Sequence, residues 1–450
     1  MFWADDYQFV ATTAIGRPSH AWTGGGRFWP LGLCDYSLLL AIPYGTTITV
    51  HFIYNCITMF ASSLLFLSFL KKSLGRNSNC IAAFCMLLLF SLSSFILIHM
   101  ACIYPERQMF LMLSIFLFFY WEATKENEKT ANYVIAFIAA VYATYLKEPV
   151  FGLWIIFALS NLIFGKLSSK NRKFNYALLV NSAIWLSIFI YRTIFRDRTL
   201  LEGKKAYGGG IASGLVDALS YFFNCFNQEP ILYVLLIIAV IRLAVILRDR
   251  SKYDFIADSA LFAGISYAFA YVLPKLPGNH YCFPAVLFGL PAFGLVLKNT
   301  SLKYPFICAA ILTLIYSANQ SAAWVNRIIR HRSSDPEMFI QLIEQARHGK
   351  RILWITEKGS ELEVKKNSRE FDQMKFRRYQ IFFDYYNGQP FPFERVSDYS
   401  QIDQNTIVIC ADETLSSSCG EEILSQIEKF GLKLSHSNED MGAKIFEVAH

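Results

Sequence analysis

The chain is poor in charge, and its charged C-terminal part has none of the short motifs that mark common enzymes. Only 17% of its 450 residues are charged, against about 25% in soluble domains. Its ten cysteines are scattered without a CxxC pair and lie mostly in apolar runs, which argues against a metal centre. The C-terminal part contains no nucleotide-binding glycine loop, paired-histidine metal motif or nucleophile elbow. No basic region precedes the first apolar run, so no cleavable signal peptide is visible.

What the chain has instead is a series of long apolar runs, with 54% hydrophobic residues overall. A helix that crosses the bilayer needs about 20 mostly apolar residues. Ten runs are candidates for such helices: 46–70, 81–103, 107–122, 131–147, 150–165, 175–195, 230–248, 255–273, 281–297 and 303–320. We therefore predict an α-helical polytopic membrane protein with about ten visible spans.

The distribution of lysine and arginine predicts how the spans are oriented. If the N-terminal acidic segment lies outside, the inside loops are richer in basic residues than the outside loops, and among them are Lys71, Lys72, Lys166, Lys170 and Arg172. Basic loops face the cytoplasm, so both the N-terminal segment and the C-terminal tail are predicted to lie outside. We assign the net charge of +7 to this topology and to anionic lipid headgroups, and not to nucleic acid.

The composition changes after about residue 325, where charged residues become frequent and apolar runs shorten. Strand and helix patterns then alternate, in the order Glu337–Gly349 (helix), Arg351–Ile355 (strand), Thr406–Cys410 (strand), Glu421–Phe430 (helix) and Lys444–Val448 (strand). This alternation predicts a small α/β domain. We divide the chain into an outward loop region with an acidic pair (1–45), a transmembrane helical domain (46–320) and an outward soluble α/β domain (330–450).

Polar side chains gather at the span ends that are predicted to face outward. The acidic pair Asp5-Asp6 stands before the first span, and carboxylates beside a membrane are costly, which marks a place of polar chemistry. The same side carries Arg17, Arg27, Glu106, Arg107, Lys147, Glu148, Arg196, His280 and Tyr281. Taken alone, each glutamate beside a proline, including Glu229, equally fits a helix N-terminus. Their accumulation on one side predicts a polar cavity at the outer membrane surface.

Four segments, Trp3–Tyr7, Gly26–Leu31, Tyr104–Gln108 and Tyr145–Phe151, resemble bacterial polytopic glycosyltransferases of the C-type superfamily (GT-C). The resemblance covers roughly residues 1–320. It implies a polyprenyl-phosphate sugar as donor, acidic residues in the first outward loop and an outward soluble domain after the spans. In that superfamily the acidic loop follows a first membrane helix, whereas here Met1 stands two residues before Trp3. Either Met1 lies inside a longer gene product, or the chain has lost that first helix.

The resemblance implies a role for each polar residue on the outer side. A carboxylate, Asp5 or Asp6, would act as general base on the acceptor in a direct displacement. The donor phosphate would be bound by fixed cations and by hydrogen-bonding rings: Arg17, Arg27, Arg107, Lys147, Arg196, His280 and Tyr281. Glu106 and Glu148 would either bind an acceptor amine or hold Arg107 and Lys147 in place. We expect no cofactor, because nothing in the spacing requires a divalent cation between Asp5, Asp6 and Glu106.

The partners expected are a polyprenyl-phosphate-linked sugar and a glycan, lipid or protein acceptor in the cell envelope, and the expected location is the inner membrane. A lipid or glycan transporter or flippase is the main alternative, and it would predict a repeat between halves and polar residues at mid-membrane depth. No clear repeat is visible, and Arg242 is the exception within a span, where it would snorkel or pair with a neighbouring helix. A polymerase or ligase of surface polysaccharide is the third alternative.

Overall fold

The computed structural model describes residues 30–32, 34–39, 41–43, 48–75, 78–100, 104–125, 129–192, 215–271, 278–299, 303–356, 386–411, 420–438 and 443–448, with isolated positions between 376 and 384 and at 415. Contacts divide these residues into two compact units, one within Pro18–Asn326 and one within Arg327–His450. Each unit has its own core.

The first unit is a bundle of helices with short connections. In chain order the helices are α1 (Cys34–Leu39), α2 (Ile48–Leu74), α3 (Asn79–Ser91), α4 (Ser93–Met100), α5 (Glu106–Ala123), α6 (Thr130–Leu146), α7 (Val150–Phe164), α8 (Ser169–Ile190), α9 (Leu215–Gln228), α10 (Ile231–Arg248), α11 (Ala257–Phe269), α12 (Asn279–Asn299) and α13 (Lys303–Arg347). Only the part of α13 up to Asn326 belongs to this unit. Helices dominate because lipid offers the backbone no hydrogen-bond partners, and an α-helix satisfies all its backbone hydrogen bonds within one segment.

A helix occurs at each of the ten predicted spans, but their number as full membrane crossings is not confirmed. Among the described residues, five helices are long and apolar enough to cross a membrane, within α2, α8, α10, α12 and α13. The bent pair α3–α4, with an angle of 64°, would make a sixth. The remaining predicted spans coincide with helices of 18, 17, 15 and 13 residues. The first of these carries three charged residues, Glu106, Arg107 and Glu122, and the other three are shorter than the roughly 20 residues needed. The protein is therefore an integral, multi-pass membrane protein.

Helix α12 lies at the centre of the bundle. In its most apolar window, 89% of the residues are buried, compared with 22–39% for the other four long spans. Two glycines allow neighbouring helices to approach closely: a Cβ on Gly289 would lie 2.4 Å from Leu235 of α10, and one on Gly294 would lie 2.8 Å from Leu74 of α2. The middle and the C-terminal part of α12 are thus tightly packed against α10 and α2.

The antiparallel course of the chain brings several helix ends together. Helices α5, α10 and α12 begin, and α4, α6 and α11 end, at the end of the bundle that the basic loops predict to be outer. At the opposite end, Arg242 of α10 donates two hydrogen bonds to Asp258 of α11, at 2.7 and 2.6 Å. The expectation that Arg242 either snorkels or pairs with a neighbouring helix is thus settled in favour of pairing.

The second unit is built on a five-stranded mixed sheet with the order β2-β1-β3-β5-β4. Its elements are β1 (Arg351–Ile355), β2 (Glu394–Val396), β3 (Thr406–Ala411), α14 (Gly420–Lys429), β4 (Leu432–Asn438) and β5 (Ala443–Val448). Strands β1, β2 and β3 are parallel, whereas β5 runs antiparallel to β3 and β4. Every residue of the central β3 is buried, as expected of a strand covered on both faces. The predicted strands at 351–355, 406–410 and 444–448 are present, and β2 and β4 are additional.

Candidate functional site

The predicted site residues fall into two groups. Asp5, Asp6, Arg17, Arg27 and Arg196 lie outside the described residues. The others come together at the predicted outer end of the bundle: Glu106 and Arg107 at the start of α5, Lys147 and Glu148 directly after α6, and His280 and Tyr281 at the start of α12.

Arg107 is the centre of a buried polar cluster, which we call the arginine cluster. Its guanidinium is completely buried. It donates one hydrogen bond of 2.5 Å to Asp35 of α1 and another of 2.5 Å to Asn55 of α2. The guanidinium carbon lies 4.1 Å from the ring centroid of Tyr36 and 5.5 Å from that of Tyr54. Hydrogen bonds and aromatic faces together compensate the arginine for its loss of water.

Lys147 forms a second cluster, which we call the lysine cluster. Its Nζ lies 2.9 Å from the Glu106 carboxylate, and 4.8 Å from the ring centroid of Tyr281. Both ionic groups are buried. The Tyr281 ring stacks on Tyr271 at 4.2 Å, and the hydroxyl of Tyr271 lies 3.2 Å from that of Tyr267. Three tyrosines thus form an aromatic wall beside the buried ammonium group.

His280 and Glu148 complete the group of predicted residues. The His280 ring stacks on Tyr104 with centroids 4.2 Å apart, and it also contacts the neighbouring Tyr281 ring at 3.9 Å. Glu148 is half-buried in the turn between α6 and α7. These contacts place His280 at the junction between the connection leading to α5 and the start of α12.

The local geometry of α5 explains why there are two clusters. Consecutive residues on an α-helix point about 100° apart, so Glu106 and Arg107 face different neighbours. Glu106 points to the end of α6, and Arg107 points to α1 and α2. A glutamate in the first turn also complements the helix dipole. The start of α5 therefore connects both clusters.

The two clusters are balanced in charge. Among the ion pairs of the described residues, Arg107 and Lys147 contribute two positive charges, and Asp35 and Glu106 two negative ones. Such pairing is what allows ions to be buried at all. The four groups by themselves form a neutral polar floor, so an anionic ligand here needs further cations.

An apolar groove of about 390 Å³ lies beside this floor, between α2 and the bent pair α3–α4. Its walls are formed by Met59, Phe60, Ser63, Leu64, Leu67, Met86, Phe90 and Phe95. Phe95 also packs on His99 and on Phe110, at centroid distances of 4.5 and 6.1 Å. Phe110 follows Arg107 by about one helical turn on α5. The groove thus runs up to the residues that surround the arginine cluster.

Sequence reasoning missed several residues that the structure places at this end. Asp35 and Asn55 bind Arg107, and the only available signal was that Asp35 is another acid before the first long apolar run. By sequence alone, Glu229 fits the N-terminus of the helix that follows it. Instead it binds α4, accepting hydrogen bonds from the Ser93 hydroxyl at 2.9 Å and the Ser94 backbone N–H at 2.6 Å. No sequence pattern links these partners, which are more than 130 residues apart.

Comparison with known proteins bears on the fold. The sequence matches no protein-family model, and no curated protein is significantly similar to it. The structure is similar to that of ArnT from Cupriavidus metallidurans in the apo state, with a TM-score of 0.52 and 10% identity over 98% of this chain and 92% of ArnT. ArnT bound to undecaprenyl phosphate gives a TM-score of 0.47 at 10% identity, over 98% and 96% of the two chains. At this level of identity the likeness shows the fold alone: the chain shares the fold of ArnT.

Proposed function

We propose that this chain, which shares the fold of the GT-C glycosyltransferase ArnT, is a membrane glycosyltransferase. It moves a hexosyl or pentosyl group from a polyprenyl-phosphate donor to an acceptor of the cell envelope, on the outer face of the inner membrane. The observation that carries the proposal is the match of this fold over 98% of the chain, together with the polar clusters at one end of the bundle.

A lipid-linked donor is supported by the apolar groove next to the polar floor. A polyprenyl chain needs an apolar path that opens to lipid, and its phosphate needs a polar end to that path. The groove between α2 and α3–α4 is almost wholly apolar and adjoins Phe110 and Arg107. ArnT binds undecaprenyl phosphate, and we assign the chain of such a lipid to this groove.

The neutral balance of the two clusters refines the assignment of phosphate-binding residues. Because Arg107 and Lys147 already face carboxylates, they cannot alone neutralise a phosphate. We therefore propose that Arg17, Arg27 and Arg196 neutralise most of the negative charge of the phosphate. Arg107 and Lys147 contribute the remaining positive potential. We assign to His280 and Tyr281, which lie beside Lys147, hydrogen bonds to the phosphate or the sugar.

The reaction we propose is a direct displacement at the anomeric carbon. An acceptor hydroxyl or amine attacks that carbon, the bond from the carbon to the phosphate oxygen breaks, and the lipid phosphate leaves with the electron pair. Asp5 or Asp6 takes the acceptor proton as general base. Glu106 supports Lys147, and Glu148, at the turn beyond it, is assigned to an acceptor amine or to support. The reaction as written requires no cofactor.

The proposed topology follows the basic loops. The loop region 1–45 and the domain 330–450 face outward, so the C-terminal domain is periplasmic or extracellular, and 46–320 hold the membrane helices. We propose that the outward domain binds the acceptor, which is a glycan, a lipid or a protein.

The test compares envelope glycans by mass spectrometry in strains that carry the wild type, a deletion, or Asp5→Asn/Asp6→Asn at matched protein levels. We expect one sugar to disappear in the deletion and in the double variant, because neither provides a general base. Asp249→Asn, an exposed carboxylate at the opposite end of α10, serves as control and should retain the sugar. A double variant with wild-type glycans would remove the acidic pair from the mechanism. If whole glycans accumulate inside the deletion strain instead, the protein is a transporter.

A further inference from the structure

The break between α3 and α4 has no proline or glycine to cause it. Leu92 separates the two helices, which are bent by 64°. The Ser91 carbonyl, left free by the break, accepts a hydrogen bond of 2.8 Å from the Ser321 hydroxyl of α13. In lipid, a backbone group freed by a break must find such a partner. The surrounding helices therefore hold this break open.

Glu229 satisfies the other side of the break. Its Oε1 accepts from the Ser94 N–H and the Ser93 hydroxyl, the position a capping side chain takes, although Glu229 lies in the distant turn before α10. Asn279 of α12 donates to the Ser93 hydroxyl at 2.8 Å. The carboxyl group, which is completely buried, thus joins the turn before α10 to α4, and Ser93 links it further to α12.

We propose that Glu229 is a proton-dependent positioning residue that fastens α4 when neutral and loosens it when ionised. The inference rests on the proposed function for its meaning, because α4 carries the groove wall residue Phe95 and leads to Tyr104 and Arg107. The position of α4 sets the width of the groove that we assign to the donor lipid.

The surroundings of Glu229 explain why a proton matters. The groups that face it are the serines at 93 and 94 and Ser317 of α13, all of them neutral, and among the described residues no cation pairs with it. Burial raises the pKa of Glu229 to about 7. The histidines on the neighbouring helices are engaged elsewhere: His99 bonds the Phe95 carbonyl, and His280 stacks on Tyr104.

The direction of the pH effect follows from linkage. When α4 opens, the carboxyl group meets water, where its pKa returns to the ordinary 4.5. The closed state therefore holds more protons between pH 4.5 and 7, and rising pH across that window favours the open state. The effect levels off about one pH unit above the pKa of the closed state.

The test is hydrogen–deuterium exchange of the α4 amides, Ser93–Met100, in the full-length protein in lipid nanodiscs between pH 5 and 8. Rates are divided by the intrinsic exchange rate at each pH. In the wild type, protection should fall at least about tenfold across this range. Glu229→Gln, a neutral isostere that keeps the acceptor oxygen, should stay protected throughout. Asp249→Asn, at the other end of α10, should follow the wild type.

Two results would overturn the proposal: protection of wild-type α4 that does not change with pH, or a Glu229→Gln variant that keeps the wild-type pH dependence. If the glutamine variant does not fold, Ser93→Ala tests whether Glu229 is the titrating group. It removes one donor that favours the ionised form, so the transition should move to higher pH, and an unchanged midpoint would exclude Glu229 as the titrating group.

A second experiment, in which lipid is added, tests the role of Glu229 separately from the proposed function. Undecaprenyl phosphate added at pH 8 should restore protection of α4 in the wild type, because a chain in the groove packs on Phe95. If the lipid has no effect while the pH dependence is as expected, the groove assignment fails and the role of Glu229 stands.

Discussion

Replacement of Lys147 by methionine tests the lysine cluster, because the lysine and Glu106 depend on each other. At 2.9 Å and an effective dielectric constant of about 20, their attraction is about 6 kcal/mol. Burying each ion costs several kcal/mol, so the intact pair contributes little net stability. Apart from this pair, the Glu106 carboxylate has no hydrogen-bond partner among the described residues. Lys147→Met therefore leaves an isolated buried charge and should cost about 3–5 kcal/mol of unfolding free energy.

The double variant Glu106→Gln/Lys147→Met removes both charges and should recover most of that loss. The measurement is the free energy of unfolding in mixed detergent micelles for the wild type, both single variants and the double variant. Lys72→Met is the matched control, because Lys72 pairs with Glu122 but is 45% exposed, and it should change stability by less than about 1 kcal/mol. The reasoning is refuted if Lys147→Met is as stable as the control, or if the double variant is no more stable than Lys147→Met.

Two further predictions separate the groove from the opposite end of the bundle. Ser63→Trp fills part of the groove between α2 and α3–α4 and should weaken binding of undecaprenyl phosphate at least about tenfold, whereas Ile57→Trp, on the exposed face of α2, should bind it as the wild type does. Arg242→Met leaves Asp258 buried without its cation and should cost about 3–5 kcal/mol of stability. Its affinity for the same lipid should stay within about twofold of the wild type, because neither residue of the pair lines the groove, and a larger loss would contradict the separation of the two sites.

The sequence allowed much of the helical framework to be predicted, because apolar runs and basic loops are local signals. Those signals placed Arg107, Lys147 and His280 at one end of the bundle, where the structure has them. They did not give the number of full crossings, since the helix at 257–269 has only 13 residues. The apolar run at 255–273 is longer than the helix that it forms, so the length of a run does not give the length of the helix.

The parts that could not be predicted depend on contacts between distant residues. Asp35 lies in a helix of six residues, too short for a periodic pattern, and its partner Arg107 is 72 residues away. The break at Leu92 has only serines around it and is held by Glu229 and other distant groups. Strand β2 has only three residues, two of them exposed, so no alternating pattern could have shown it.

The packing of α12 has a consequence for how the protein can move. A helix whose window is 89% buried, and whose two glycines are filled by leucines of α2 and α10, can neither turn nor slide without steric clashes. It therefore acts as a rigid core helix, and any conformational change must be carried by the helices packed around it, such as α4. In alternating access, two halves of a protein rock about a central cavity. Here that motion would require the helices packed around α12 to separate from it. On the proposed function, the lipid donor would reach the site from the bilayer and the acceptor from the outer surface, so that neither has to pass through the middle of the bundle.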